Sequence, residues 1–253
     1  MILDSFKLTG KVALVTGCNT GLGQAIALAL AEAGSHIVGV NRSAPSETMK
    51  KMQANGHRFL DLRADLLKQA QIPSLIEQTI KEYGRIDILV NNAGIIRRED
   101  AIDFTEKDWD DVMDVNAKTA FFMSQMVAKQ FIKQGDGGKI INIASMLSFQ
   151  GGIRVPSYTA SKSALMGLTR AMANEWAAHN INVNSIAPGY METNNTTALR
   201  EDLERNEAIL ARIPAQRWGK PVDVAGPCVF LASEAASYMH GYTIAVDGGW
   251  LAR

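Results

Sequence analysis

The stretch KVALVTGCNTGLGQAIALALAEA, Lys11–Ala33, decides the fold. Lys11–Thr16 is an apolar run with strand character, and Leu22–Ala33 is rich in Ala and Leu, the composition of a helix. Between them stand Gly17, Gly21 and Gly23 in the spacing G-x-x-x-G-x-G. A strand that enters a helix through glycines lets the backbone approach a diphosphate, and the first turn of the helix offers free N–H groups and a positive dipole end. The same glycines also serve a plain strand–helix turn; the position after the first strand of an α/β chain favours the cofactor reading.

Working outward, the alternation continues to the far end. Strands are expected at His36–Asn41, Arg58–Arg63, Ile86–Asn91, Lys139–Ala144, Ile181–Ala187 and Tyr242–Val246. Helices are expected at Ser46–Asn55, Gln69–Tyr83 closed by Gly84, Thr105–Lys133, Ser157–His179, Leu199–Arg212 and Val222–Ala232. Strands separated by helices of ten or more residues pair in parallel with right-handed crossovers, and near-continuous apolar strands suit a sheet covered on both faces. The pattern predicts an α/β chain: a single doubly wound Rossmann-type domain over residues 1–253, with about seven parallel strands and helices on both faces.

Composition narrows the function. The chain has 253 residues, equal numbers of Lys+Arg and Asp+Glu (26 each) and 47% hydrophobic residues. A balanced charge argues against nucleic acid as a partner. No run of about 18 apolar residues occurs, so no membrane span is expected. Cys18 and Cys228 cannot build a disulfide framework and suit a reducing compartment, so the cytoplasm is the expected location. The four histidines are scattered and no metal-ligand spacing occurs, so no metal is expected.

Three further features bear on chemistry. At the end of the second strand Asn41 stands where a carboxylate would accept from the adenosine ribose, and Arg42 follows, suited to a 2′-phosphate; Asp65, past the third strand, is placed to accept from the adenine amino group. Tyr158 and Lys162 are four apart on one helix face, where an ammonium can lower a phenol's pKa and make it a usable acid or base. Ser145 ends the fifth strand, where ligands of open α/β sheets collect, although such a serine also serves as a cap. Asn116 alone reads as an exposed polar residue of the long helix.

Together, Thr16–Gly23, Asn91–Gly94, Asn116, Ser145, Tyr158-x-x-x-Lys162, Pro188-Gly189 and Asp247-Gly248-Gly249 resemble the short-chain dehydrogenases/reductases, in order and over essentially the whole chain. The stretches IASMLSFQGGIRVPSYTASKS and GYTIAVDGGWLAR are similar to the bacterial branch that acts on the deoxy-sugar acid 2-dehydro-3-deoxy-D-gluconate in pectin and hexuronate breakdown. The resemblance implies that Tyr158 is the general acid/base and that Lys162 binds the nicotinamide ribose and lowers the tyrosine pKa. It implies that Ser145 holds the substrate oxygen and that Asn116 orders a water of a proton relay. It places Thr16, Gly17, Asn19, Gly21, Leu22, Gly23, Asn41, Arg42, Asp65, Leu66, Asn92, Ala93, Gly94, Pro188 and Gly189, with Tyr158 and Lys162, against the cofactor. It implies NAD in preference to NADP, and a homotetramer.

For the substrate carboxylate, Arg154 and Gln150 are the first expectation, with Arg97 and Arg98 as rivals; an arginine fork matches a carboxylate. Other expectations of the same chain are reduction of another carbonyl, such as a 3-oxoacyl thioester or a gluconate ketone, and a dinucleotide-sensing protein without catalysis. The intact Tyr158, Lys162, Ser145 and Asn116 argue against the last.

Overall fold

The computed structural model describes residues 1–253. The strands are β1 (Val12–Thr16), β2 (His36–Asn41), β3 (Phe59–Arg63), β4 (Ile88–Asn91), β5 (Gly138–Ile143), β6 (Ile181–Pro188) and β7 (Thr243–Val246). The helices are α1 (Gly21–Glu32), α2 (Ser46–Ala54), α3 (Ile72–Tyr83), α4 (Glu106–Met113), α5 (Ala120–Gln134), α6 (Pro156–Trp176), α7 (Thr197–Glu201), α8 (Leu203–Arg212) and α9 (Pro221–Ala232). One seven-stranded sheet results, in the order β3-β2-β1-β4-β5-β6-β7, with every pair parallel. The chain winds outward from β1 to β3, returns, and winds the other way from β4, so β1 and β4 flank a topological switch point.

All five residues of β1 and all eight of β6 are buried, as a sheet covered on both sides requires. Period-two alternation splits β1. Ala13 and Val15 join a core with Ile26, Leu30 and Leu231 from α1 and α9. Val12 and Leu14 join the opposite core with Leu75, Val127 and Met172 from α3, α5 and α6. Each fully buried Leu or Ile contributes about 1.5–3 kcal/mol relative to exposure.

Several expected elements are divided. The helix expected over Thr105–Lys133 is α4 and α5 joined by a π-helical segment, Asp114–Thr119, which carries Asn116. Such widened turns commonly mark functional sites. The helix expected over Leu199–Arg212 breaks at Asp202, whose carboxylate accepts from the Arg205 N–H (3.1 Å) and caps α8. Gln69–Gln71 is a 3₁₀ turn, and α3 starts at Ile72 with Pro73 in its first turn, where the missing N–H costs nothing. Gly84 closes α3 in the left-handed region at φ 77°, as expected. The helix expected at Val222–Ala232 is α9, and Pro227 inside it lacks an N–H donor.

Candidate active site

The switch point is stitched by side chains. Thr16 Oγ1 accepts from the Asn92 and Ala93 N–H groups (3.1 and 3.0 Å), and Asn92 Nδ2 donates to the Thr16 and Gly17 carbonyls (both 2.9 Å). These bonds lock the glycine loop after β1 to the Asn91–Gly94 turn after β4. Gly17 and Gly21 take positive φ (67° and 57°), open to glycine at little cost. A Cβ on Gly23 would collide with the Gly17 carbonyl oxygen and the Asn92 amide, so only glycine fits there.

Above these turns lies a cleft of about 470 Å³ at the carboxyl ends of the strands. Of the expected cofactor residues, Gly17, Asn19, Gly21, Leu22, Gly23, Asn41, Arg42, Asp65, Leu66, Asn92, Ala93, Gly94, Tyr158, Lys162, Pro188 and Gly189 all line it. Thr16 does not; it acts from beneath through the hydrogen bonds above. A floor of bare glycine backbone at the α1 N-terminus fits a dinucleotide diphosphate. Asn41 is 2% exposed, and its Oδ1 accepts from the Cys18 N–H (2.9 Å). That side chain is therefore engaged with the glycine loop. Arg42 is exposed and makes no hydrogen bond or ion pair within the chain.

At the other end of the cleft stand Ser145, Tyr158 and Lys162. Ser145 follows β5, and its Oγ also accepts from the Leu147 N–H (3.1 Å), so the serine caps a turn and lines the site at once. Tyr158 and Lys162 lie on consecutive turns of α6, with Lys162 Nζ 5.6 Å from the phenol ring centre. Burial pushes the Tyr158 phenol above its ordinary pKa, and a hydrogen bond with Ser145 and the charge of Arg98 pull against that. The phenol is thus a proton donor at neutral pH. Burial pulls the Lys162 ammonium down to about 8, and Nζ donates to the Ile143 carbonyl (2.6 Å).

Asn116 is 1% exposed, which corrects the reading of the bare residue as an exposed polar position. Its amide donates to Ile95 O (3.0 Å) and Ser161 Oγ (3.1 Å), and its Oδ1 accepts from Ile95 N (2.8 Å). Both amide hydrogens are spent, so the side chain fixes the turn after β4 beside Lys162. A Cβ on Gly94 would stand 3.2 Å from Asn116 Oδ1 and 3.6 Å from Lys162 Nζ, which locates the convergence of the three.

The structure does not bring Arg154 and Gln150 into the cleft. Arg154, at φ 63°, pairs with Glu99 (3.3 Å) and Asp100 (3.0 Å), and Gln150 accepts from Arg212 (3.3 Å). Arg97 lines the cleft, but its guanidinium is held by Asp108 (3.2 Å) and Asp111 (3.5 Å). Arg98 does not line the cleft but pairs with no carboxylate; it donates to the Asn195 carbonyl (3.1 Å), and its charge reaches Tyr158. Met191 and Thr193–Thr196 also line the cleft and were not singled out from the sequence. The Thr- and Asn-rich run Thr193–Thr197, separated from Pro188-Gly189 by three residues, was the available signal.

A switch-point cleft with a glycine floor, and a Ser–Tyr–Lys set at its far end, define a pyridine-nucleotide oxidoreductase. The chain belongs to the short-chain dehydrogenase/reductase family: a family model described as enoyl-(acyl carrier protein) reductase matches residues 17–251. A Dickeya dadantii (strain 3937) protein named 2-dehydro-3-deoxy-D-gluconate 5-dehydrogenase is 69% identical over 253 residues, 100% of each chain. A solved Agrobacterium tumefaciens structure with bound NADP, described as a candidate 2-deoxy-D-gluconate 3-dehydrogenase, is 56% identical with a TM-score of 0.94, covering 99% of this chain and 100% of that one. A gluconate 5-dehydrogenase from Burkholderia cenocepacia J2315, in complex with NADP and tartrate, is 38% identical with a TM-score of 0.95 and full coverage of both chains.

Proposed function

We propose that this chain is a 2-dehydro-3-deoxy-D-gluconate 5-dehydrogenase of pectin and hexuronate breakdown, interconverting a hydroxyl and a keto group of a deoxy-sugar acid. The observation that carries the reading is the convergence of Ser145, Tyr158 and Lys162 on one end of the dinucleotide cleft in a chain 69% identical to a protein of that name. The dinucleotide supplies hydride acceptance or donation. Tyr158 holds the proton that leaves or joins the substrate oxygen, and Ser145 donates to that oxygen. Lys162 supplies positive charge beside the phenol, and Asn116 fixes the adjoining turn.

The substrate carboxylate is assigned to Arg98 rather than Arg154, since Arg98 alone of the three candidate arginines is free of carboxylate partners and its charge lowers the Tyr158 pKa. The cofactor end carries no feature that selects NAD over NADP. Asn41 is neutral and committed to Cys18, and Arg42 is unpaired, so nothing there repels a 2′-phosphate. We infer that the site takes NADP as well as NAD. The reading includes one catalytic domain over residues 1–253 and a cytoplasmic location, in keeping with two free, buried thiols. It also includes a homotetramer that covers Trp109 and Phe122, exposed on α4 and α5.

A kinetic panel tests it: 2-dehydro-3-deoxy-D-gluconate, D-gluconate and a 3-hydroxyacyl thioester, each with NAD and NADP. The deoxy-sugar acid is expected to give the highest kcat/KM. A higher value for the thioester overturns the substrate assignment, and dinucleotide binding with no turnover on any member overturns catalysis.

A further inference from the structure

We propose that a second cleft, at the amino-terminal ends of β4, β5 and β6, binds a small oxyanion, a carboxylate or phosphate, on the Lys139 ammonium. This cleft has a volume of about 260 Å³. It lies at the opposite end of the sheet from the active site: Lys139 is the second residue of β5 and Ser145 stands two residues past its end, a span of about 20 Å at strand rise.

Lys139 is 8% exposed, yet its ammonium makes a single hydrogen bond, to Asn182 Oδ1 (2.9 Å). An ammonium carries three donors, so two have no protein acceptor. No carboxylate stands within ion-pair distance of it. A buried charge with unfilled donors is costly, and an acceptor-rich ligand removes that cost. Asn182 has nothing further to give, because its amide donates to the Ser237 and Met239 carbonyls (2.8 and 2.9 Å).

The other charges of the cleft leave the cations available. Asp87 is occupied by the Arg85 fork (2.6 and 2.9 Å) and by the Val12 N–H (2.9 Å), and Asp136 also pairs with Arg85 (3.3 Å). Lys11 lines the cleft and makes only a long contact with Asp87 (3.6 Å). Glu234 makes no ion pair, and its charge partly offsets the burial that pulls the Lys139 ammonium down. Two ammonium groups with open donors, beside Asp87 and Asp136 that Arg85 engages and one unpaired carboxylate, Glu234, recognise a group that only accepts hydrogen bonds.

Inorganic phosphate is the first probe, titrated calorimetrically into the NADP-saturated enzyme so that the diphosphate subsite of the active cleft is filled. One saturable phosphate site is expected, with malonate competing for it. Lys139→Met is expected to weaken it about tenfold or more, and Lys11→Met by a smaller factor, both with unchanged NADP affinity. Absence of saturable binding in the NADP-saturated wild type overturns the proposal, as does equal affinity in the wild type and in folded variants. If Lys139→Met does not fold, the wild-type titration and Lys11→Met decide it. Phosphate binding without malonate competition restricts the ligand to phosphate and overturns the carboxylate arm.

Discussion

The Lys162 ammonium donates to the Ile143 carbonyl at 2.6 Å, joining α6 to the last residue of the strand that presents Ser145. Lys162 is 4% exposed, and burial alone pulls its pKa from the ordinary 10.5 to about 8. The folded state therefore binds this proton less tightly than the unfolded state. Below pH 8 both states hold it, and the folded protein bears the full cost of a buried ammonium, about 3 kcal/mol. That cost fades as pH rises from 8 to 10.5. Lys162→Met is expected to abolish turnover while raising Tm at pH 7 by about 5 °C, the orphaned Ile143 carbonyl offsetting part of the gain. The advantage should vanish by pH 10.5. Thermal melts across that range check it, and a lower Tm for the variant at pH 7 contradicts it.

Arg98 is expected to do two things. Arg98→Met should raise KM for the acid substrate about 10–150-fold, the worth of a charge-assisted hydrogen bond. It should also move the rising limb of the oxidation pH profile to higher pH, since the Arg98 charge lowers the Tyr158 pKa. Arg154→Met, which breaks only its pairs with Glu99 and Asp100, should leave KM near the wild-type value. Steady-state kinetics on both variants separate the two arginines.

At the adenosine end, Arg42→Ala should lower kcat/KM with NADPH about tenfold and leave NADH nearly unchanged, because only the phosphate engages the guanidinium. An equal loss with both cofactors indicates that Arg42 shapes the loop. Asn41→Asp keeps an acceptor for the Cys18 N–H and adds a repulsive charge, so it should shift selectivity toward NAD.

The parallel sheet was legible because strand and helix periods alternate from Lys11 to Val246, and the glycine spacing marked the cleft floor. Tyr158, Lys162 and Ser145 were found because a spacing of four on a helix and a strand end are both local features. What local pattern does not carry is long-range pairing. Nothing near Asn41 in sequence announces Cys18 as its partner, and nothing near Arg154 shows that Glu99 and Asp100 hold it. The π turn at Asn116 is likewise set by the distant Ile95 and Ser161, not by helix propensity.

Gly23→Ala tests the cleft floor. With the Gly17 carbonyl and Asn92 amide in the way, the loop must shift, so dinucleotide affinity should fall steeply while the sheet stays folded. Fluorescence titration with NADPH, beside circular dichroism, reads both.

The most direct test of the account is the chemical step in Tyr158→Phe. The ring and its packing remain and only the hydroxyl is removed, so NADPH affinity should match the wild type. Single-turnover oxidation of 2-dehydro-3-deoxy-D-gluconate should slow by about 10²–10⁴-fold, the usual range for a general acid or base. A Tyr158→Phe enzyme with near-normal single-turnover rates contradicts the assignment of this site.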